Sequence, residues 1–232
     1  MFTLTQLESL PDWRHIAIVG IWLGVVLLLA AIVGSTTANV EIPRKIVHIG
    51  TGNIILFAWL FNIPAIVGIG ASVVASVVTL LSYKFPLLPG INSVGRQSWG
   101  TFFYAVSIGV LVAWFWYIEQ PHFAALGVLV MTWGDGLAAL IGQKFGKHPY
   151  KIWGIQKSWE GSLTMASVSY VISSLILLSV YGNIWQTWCV SLIVAVVATS
   201  LEAFSKFGID NLTVPLGSAA LACLLTQLLT VA

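Results

Sequence analysis

Eight apolar runs dictate what this chain can become: Ile16 to Gly34, Ile46 to Phe61, Pro64 to Leu81, Trp99 to Ile118, His122 to Gly142, Gly161 to Tyr181, Trp185 to Phe204 and Val214 to Val231. About 20 helical residues, rising 1.5 Å each, cross the ~30 Å of hydrocarbon in a bilayer. Most of the runs approach that length, and the second is the shortest. Of 232 residues only 8% are charged and 58% are hydrophobic, against roughly 25% charged in soluble domains. In lipid, every backbone polar group must be bonded within its own segment, and no run shows the alternation of a barrel strand. The expected fold is therefore an all-α polytopic transmembrane helix bundle of about eight spans, a single integral membrane domain over residues 1–232. The longest polar stretch, Gln143 to Glu160, reads as a loop. The segment MFTLTQLESLPDW carries Glu8 and Asp12 and no basic leader, so neither a secretory signal nor an Arg-rich transit peptide is expected. Cys189 and Cys223 fall inside apolar runs and read as packing residues rather than a disulfide or metal pair. Tryptophans such as Trp114 and Trp116 read as anchors at a membrane interface.

The charges are one-sided. The first, third, fifth and seventh connections hold Arg44, Lys45, Lys84, Arg96, Lys144, Lys147, Lys151, Lys157 and Lys206, nine of the ten basic residues, while Arg14 stands alone opposite. By the positive-inside rule that face is cytoplasmic and both termini lie on the non-cytoplasmic side. Glu41, Asp135, Glu160, Glu202 and Asp210 fall in or beside the same half, which the rule does not require. Acids balancing nearby lysines would explain any one of them; five together, two of them inside helices, point to a charged centre.

Asp135 shares a helix face with Ala138, Ala139 and Gly142, and Gly134, Ala138, Gly142 and Gly146 form a small-residue ribbon on which another helix can pack closely. Asp135 is thus expected to point into the bundle, about 10 Å from the cytoplasmic end. A carboxylate at such depth costs about 2.5–3.5 kcal/mol on the lenient insertion scale, so it has a partner or a task. Both Asp135 and Glu202 also sit where their own helix dipoles are negative. Either a lysine or a bound divalent metal would relieve them.

The opposite arrangement occurs where helices begin at that face, because their free N–H groups attract phosphate. Pro43 suits a first helical turn, and Arg44 with Lys45 would oppose the dipole there unless an anion lay between them. His48, one turn from Arg44, would contact phosphate or satisfy a neighbouring helix. GIQKSWEGS gathers Lys157, Ser158, Glu160, Gly161 and Ser162 at a helix start: a mobile cation, hydroxyls that bind or cap, and a glycine allowing close approach. It is not a P-loop; GQKFGKH has the wrong glycine spacing, His148 stands where a hydroxyl is needed, and no GxGxxG occurs.

Five pieces, RKIVHIGTG (Arg44 to Gly52), GRQSWGTFFY (Gly95 to Tyr104), GDGLAALIGQKFGK (Gly134 to Lys147), KSWEGS (Lys157 to Ser162) and EAFSKFGIDNLTVP (Glu202 to Pro215), resemble the polyprenol kinase family, and its phytol kinase branch most of all. The resemblance implies phosphoryl transfer from a nucleoside triphosphate, typically CTP, to the hydroxyl of an isoprenoid alcohol. It implies Mg²⁺ held by Asp135 with Glu202 or Asp210, and catalytic roles for Asp135, Lys157 and Glu160. Arg44, Lys45, His48, Lys147, Ser158, Ser162 and Asn211 would serve the nucleotide. Asp135 is either a metal ligand or the base for the alcohol proton; Glu160 either binds metal or orients Lys157. The partners implied are the prenol, the triphosphate and the bilayer, with no nucleic acid. The phytol branch further implies tocopherol or chlorophyll-phytol metabolism in a photosynthetic membrane, with a bacterial cell favoured by the missing transit peptide. Two alternatives stand beside this reading. A membrane cytidylyltransferase would release pyrophosphate rather than CDP, and the HGGxxDRxD-type signature of phosphatidate cytidylyltransferases is missing here. A small transporter would need polar residues near the midplane and internal repeats, and the sequence shows no repeat and almost nothing polar in the outer half.

Overall fold

The structure, a computed structural model, describes residues 12–85 and 99–230. Its helices are α1 (Trp13–Thr36), α2 (Glu41–Gly52), α3 (Ile54–Leu60), α4 (Ala65–Lys84), α5 (Gly100–Tyr117), α6 (Pro121–Phe145), α7 (Trp159–Tyr181), α8 (Trp185–Ala203) and α9 (Asp210–Thr230). Among the described residues, seven of these are long and apolar enough to cross a membrane. Helices α2 and α3 run in tandem over 41–60. They are separated only by Asn53, whose backbone stays helical (φ −64°, ψ −14°), and the start lies at Glu41, upstream of the Ile46 expected from hydropathy alone.

Helix α6 is the axis of the bundle. Phe123, Ala124, Ala125, Leu126, Val128 and Val130 are wholly buried, as befits a helix apolar on every side. Around it pack α7, α9, α5 and the α2–α3 pair, with α8 spanning α7 and α9 and with α4 and α1 outside. The outer helices give their apolar side chains to lipid: Ile21, Leu27 and Leu28 of α1 and Val73 and Val74 of α4 are exposed. Small residues set the closest contacts. A side chain on Gly134 would meet Met165 of α7, one on Gly142 would lie 3.0 Å from the Ser158 Oγ, and one on Gly161 would lie 3.1 Å from the Ala138 carbonyl. The ribbon along α6 is thus the seat of α7.

The two ends of the bundle are chemically distinct. At one end Lys45 reaches Asp135, Lys157 reaches Glu202, and the Trp99 N–H donates to the Phe207 carbonyl at 3.0 Å. At the other, His15 stacks on Phe61 at 4.4 Å, His122 bonds Tyr181 at 3.0 Å, and Gln186 reaches Leu229. The start of α1 and the end of α9 therefore share the end remote from the lysines. Arg96 and the opening Gly95 to Ser98 of the GRQSWGTFFY piece lie outside the described residues.

Four expectations are corrected. The stretch from Gln143 to Glu160 is not a loop: α6 continues to Phe145, leaving Asp135 about 15 Å from its end rather than 10 Å. A hairpin then follows, β1 (Pro149–Ile152) antiparallel to β2 (Ile155–Ser158), with Tyr150 opposite Lys157. Its turn residues Trp153 and Gly154 both have positive φ (49° and 82°), the geometry whose twist matches a tight hairpin. Trp116 is half-buried, its indole N–H donating to the Ile63 carbonyl at 3.0 Å, whereas Trp114 is exposed. Likewise Cys189 is exposed rather than packed, Cys223 alone being buried. Finally, the outer half is not apolar throughout: besides His122 and Tyr181, the Cys223 thiol contacts Gln120 and Gln227.

Gly142→Leu should force α7 and the hairpin off α6. The expected loss is about 1–3 kcal/mol, read as a lower Tm in detergent. Gly20→Leu, whose Cβ meets nothing within 4 Å, should leave Tm unchanged.

Candidate active site

Two glycines place the central carboxylate. A Cβ on Gly134 would lie 2.5 Å from Met165 Sδ of α7, and one on Gly136 would lie 2.8 Å from Ile49 Cδ1 of α2. Both neighbours therefore approach α6 closely, and Asp135, between the two glycines, opens into the gap between α7 and α2. Its Oδ2 accepts from the Lys45 ammonium, which also lies 3.4 Å from the Asp135 carbonyl oxygen. The pair is buried, with the two side chains 5% and 16% exposed.

A second pair closes the site from the other side. Lys157, near the end of β2, donates to both the carboxylate and the main-chain carbonyl of Glu202, the penultimate residue of α8. Neutralising the carboxylate and capping a carbonyl with one ammonium answers the unfavourable dipole position of Glu202. Asp210 opens α9, where its charge suits the dipole; its Oδ1 accepts from the Asn211 N–H at 3.1 Å and lies 3.3 Å from the Asn211 amide nitrogen. Asp210 feels the charges of Asp135, Lys157 and Lys45, and Glu202 those of Asp135 and Asp210, so the groups form one electrostatic cluster.

His48 completes the inner edge. Its imidazole tilts over the Tyr104 ring with centroids 4.5 Å apart, and its Nε2 lies 3.8 Å from Asp135 Oδ2, buried and without a hydrogen-bond partner. Tyr104 is fixed in turn by Thr132, 2.8 Å away, and by the His48 carbonyl at 3.3 Å. At the water edge Arg44 is held by Glu41, with nitrogen–oxygen distances of 2.6 and 3.0 Å.

The expected residues divide accordingly. Lys45, His48, Asp135, Lys157, Glu202 and Asp210 converge, with Asn211 alongside and Arg44 at the rim. Four others stand apart. Glu160 bonds His148 at 2.7 Å rather than Lys157; Ser158 caps α7 by accepting from the Gly161 N–H at 3.2 Å; Ser162 bonds the Tyr150 hydroxyl at 2.5 Å; and Lys147 is exposed on the link to the hairpin. Tyr104, Thr132, His148 and Tyr150 were not singled out from sequence. Tyr104 alone carried a signal, as the last residue of a motif already noted.

The donor set suits a hard cation. Asp135, Glu202 and Asp210 supply carboxylate oxygen, the preference of Mg²⁺, which commonly takes only one or two carboxylates and receives its other ligands from phosphate and water. Among the described residues no group of three or more His, Cys, Asp or Glu side chains is gathered closely enough to hold a metal ion, so Asp135, Glu202 and Asp210 do not form a ready-made metal site. Three carboxylates stand with two lysines, and each lysine is paired with one of them.

The fold and site thus define an integral membrane protein with a cluster of paired charges near one end of its bundle. The chain is 47% identical to the phytol kinase of Synechocystis sp. over 215 residues, which cover 92% of each protein. It is 28% identical to chloroplastic phytol kinase 1 of Arabidopsis thaliana over 232 residues, 90% of this chain and 74% of the relative. The chloroplastic farnesol kinase of the same plant is 28% identical over 210 residues, 80% and 66% of the two chains. No protein-family model and no solved structure matches the chain. The chain belongs to the polyprenol kinase family, within its phytol kinase group.

Lys45→Met should leave the Asp135 carboxylate buried and uncompensated, at a loss of about 3–5 kcal/mol. The double variant Lys45→Met/Asp135→Leu should recover most of that loss. Thermal unfolding of the four combinations in detergent checks this, and additive losses would contradict the pairing.

Proposed function

We propose that this protein is an isoprenoid alcohol kinase that moves the γ-phosphoryl group of CTP to the hydroxyl of phytol at the cytoplasmic face of a photosynthetic membrane. The observation that carries the reading is the convergence of Lys45–Asp135 and Lys157–Glu202 with Asp210 at one end of a lipid-embedded bundle. The activity is supported by the names of the relatives, the orientation by the nine-to-one split of basic residues, and the setting by the chloroplastic plant relatives.

Phosphoryl transfer asks a protein chiefly for positioning and charge stabilisation. Lys45 and Lys157 turn from carboxylate to phosphate oxygen when the triphosphate arrives, with Arg44 at the rim and Lys147 on the water side. The released carboxylates stay at the site, where Glu202 and Asp210 would hold magnesium. Bound there, the metal would neutralise charge on the β- and γ-phosphate oxygens. Asp135 lies deeper, beside His48, and takes the role of orienting the acceptor hydroxyl and accepting its proton. The new bond joins the alcohol oxygen to the γ-phosphorus; the bond to the β–γ bridging oxygen breaks, and CDP leaves.

Membranes carrying the protein should transfer label from γ-labelled CTP to phytol and release CDP. Asp135→Asn should abolish transfer while the protein remains inserted, and Lys157→Ala should lower kcat by about 10²-fold. CMP incorporated into lipid with release of pyrophosphate would instead identify a cytidylyltransferase. Parallel assays with ATP, UTP, geranylgeraniol and farnesol define the donor and the chain length.

A further inference from the structure

His48 has the one ring nitrogen in the site that the other residues leave unused. Its Nε2 is buried without a hydrogen-bond partner, 3.8 Å from Asp135 Oδ2, too far for a direct bond. The ring is not free to turn elsewhere, because it packs on Tyr104 at 4.5 Å and Tyr104 is anchored to Thr132. Native structures seldom leave a buried polar atom unpaired, and at a site of chemistry such an atom commonly has a ligand.

A single oxygen atom seated beside the pair, at about 2.8 Å from each, would bond both. The neighbouring charges decide what carries that oxygen. A phosphate oxygen carries no proton for the Asp135 carboxylate and could pair with the imidazole alone. Magnesium prefers oxygen ligands to imidazole. A hydroxyl meets both demands, since it donates to the carboxylate and still pairs with the imidazole. Depth agrees with this choice. Along α2, Arg44 and Lys45 come first from the basic end and His48 follows about 4.5 Å deeper, toward the side from which a lipid alcohol arrives.

We infer that His48 and Asp135 jointly seat the hydroxyl of the lipid acceptor, so that His48 is an acceptor-binding residue and not a nucleotide contact. The inference rests on the kinase reading and adds to it the atom pair that aligns the acceptor oxygen.

Steady-state kinetics on the full-length protein in detergent, varying prenol and CTP separately, test it. His48→Ala should raise the prenol KM by about tenfold and leave the CTP KM unchanged. His48→Gln, whose amide can still pair with a hydroxyl, should recover much of the loss. The methyl ether of the same prenol, which can accept from His48 but cannot donate to Asp135, should compete about tenfold less well than the alcohol against wild type and against His48→Ala alike. A raised CTP KM with an unchanged prenol KM would overturn the inference, as would equal loss in the Ala and Gln variants while both keep the wild-type Tm. Binding of radiolabelled prenol to the nucleotide-free protein distinguishes the two levels of failure. If the wild type transfers no phosphate yet binds prenol in a His48-dependent way, the kinase reading falls and the hydroxyl seat stands; if prenol binding is indifferent to His48, the seat is wrong whatever the turnover.

Discussion

A carboxylate placed among transmembrane helices needs a cation, and much of this protein's geometry follows from how that need is met. Asp135 on α6 takes Lys45 from α2, and Glu202 at the end of α8 takes Lys157 from the hairpin. Each bond joins segments far apart in sequence, so the two pairs draw four separate stretches of chain to one end of the bundle. Buried ion pairs add little net stability relative to apolar packing, because desolvation offsets most of their attraction. Their retention here is better explained by the charges being wanted for a charged ligand.

The packing around the pairs is organised to the same end. Alternating small residues on α6 admit Met165 on one flank of Asp135 and Ile49 on the other, and Gly142 with Gly161 lets α7 and the hairpin come close enough for Lys157 to reach across to Glu202. Replacing any of these glycines would widen the bundle at the level where the ion pairs need it narrow. At the opposite end helices are joined by a histidine with a tyrosine and by a thiol between two glutamines. Such pairs bind helices together without requiring a counter-ion.

Hydropathy and charge distribution were sufficient to reveal the helical architecture, the chemical difference between the two ends and the inward aim of Asp135, because those properties are repeated over many residues. Features set by a single tertiary contact were not legible. The hairpin strands are four residues each, too short for periodicity to register, and Trp153–Gly154 lacks the usual Asn-Gly or Asp-Gly turn signature. The partner of Glu160 depended on His148 swinging back across the hairpin base to within 2.7 Å, which no spacing rule supplies. For Asp135 and Glu202, sequence reasoning left lysine and metal as alternatives; the fold supplies a lysine to each.

The site's depth profile carries the remaining argument. Arg44 lies at the rim on Glu41, Lys45 and Asp135 below it, and His48 lies deepest against Tyr104. Charge therefore falls with depth, from a guanidinium through a lysine–carboxylate pair to a neutral aromatic contact. A triphosphate loses least hydration energy by staying at the upper level, where cations replace its water. A prenol loses least by keeping its tail in hydrocarbon and raising only its hydroxyl. The two levels meet at Asp135, so on the proposed reading a single acid in the middle of an apolar helix would serve both a water-soluble donor and an acceptor that keeps its tail in the membrane.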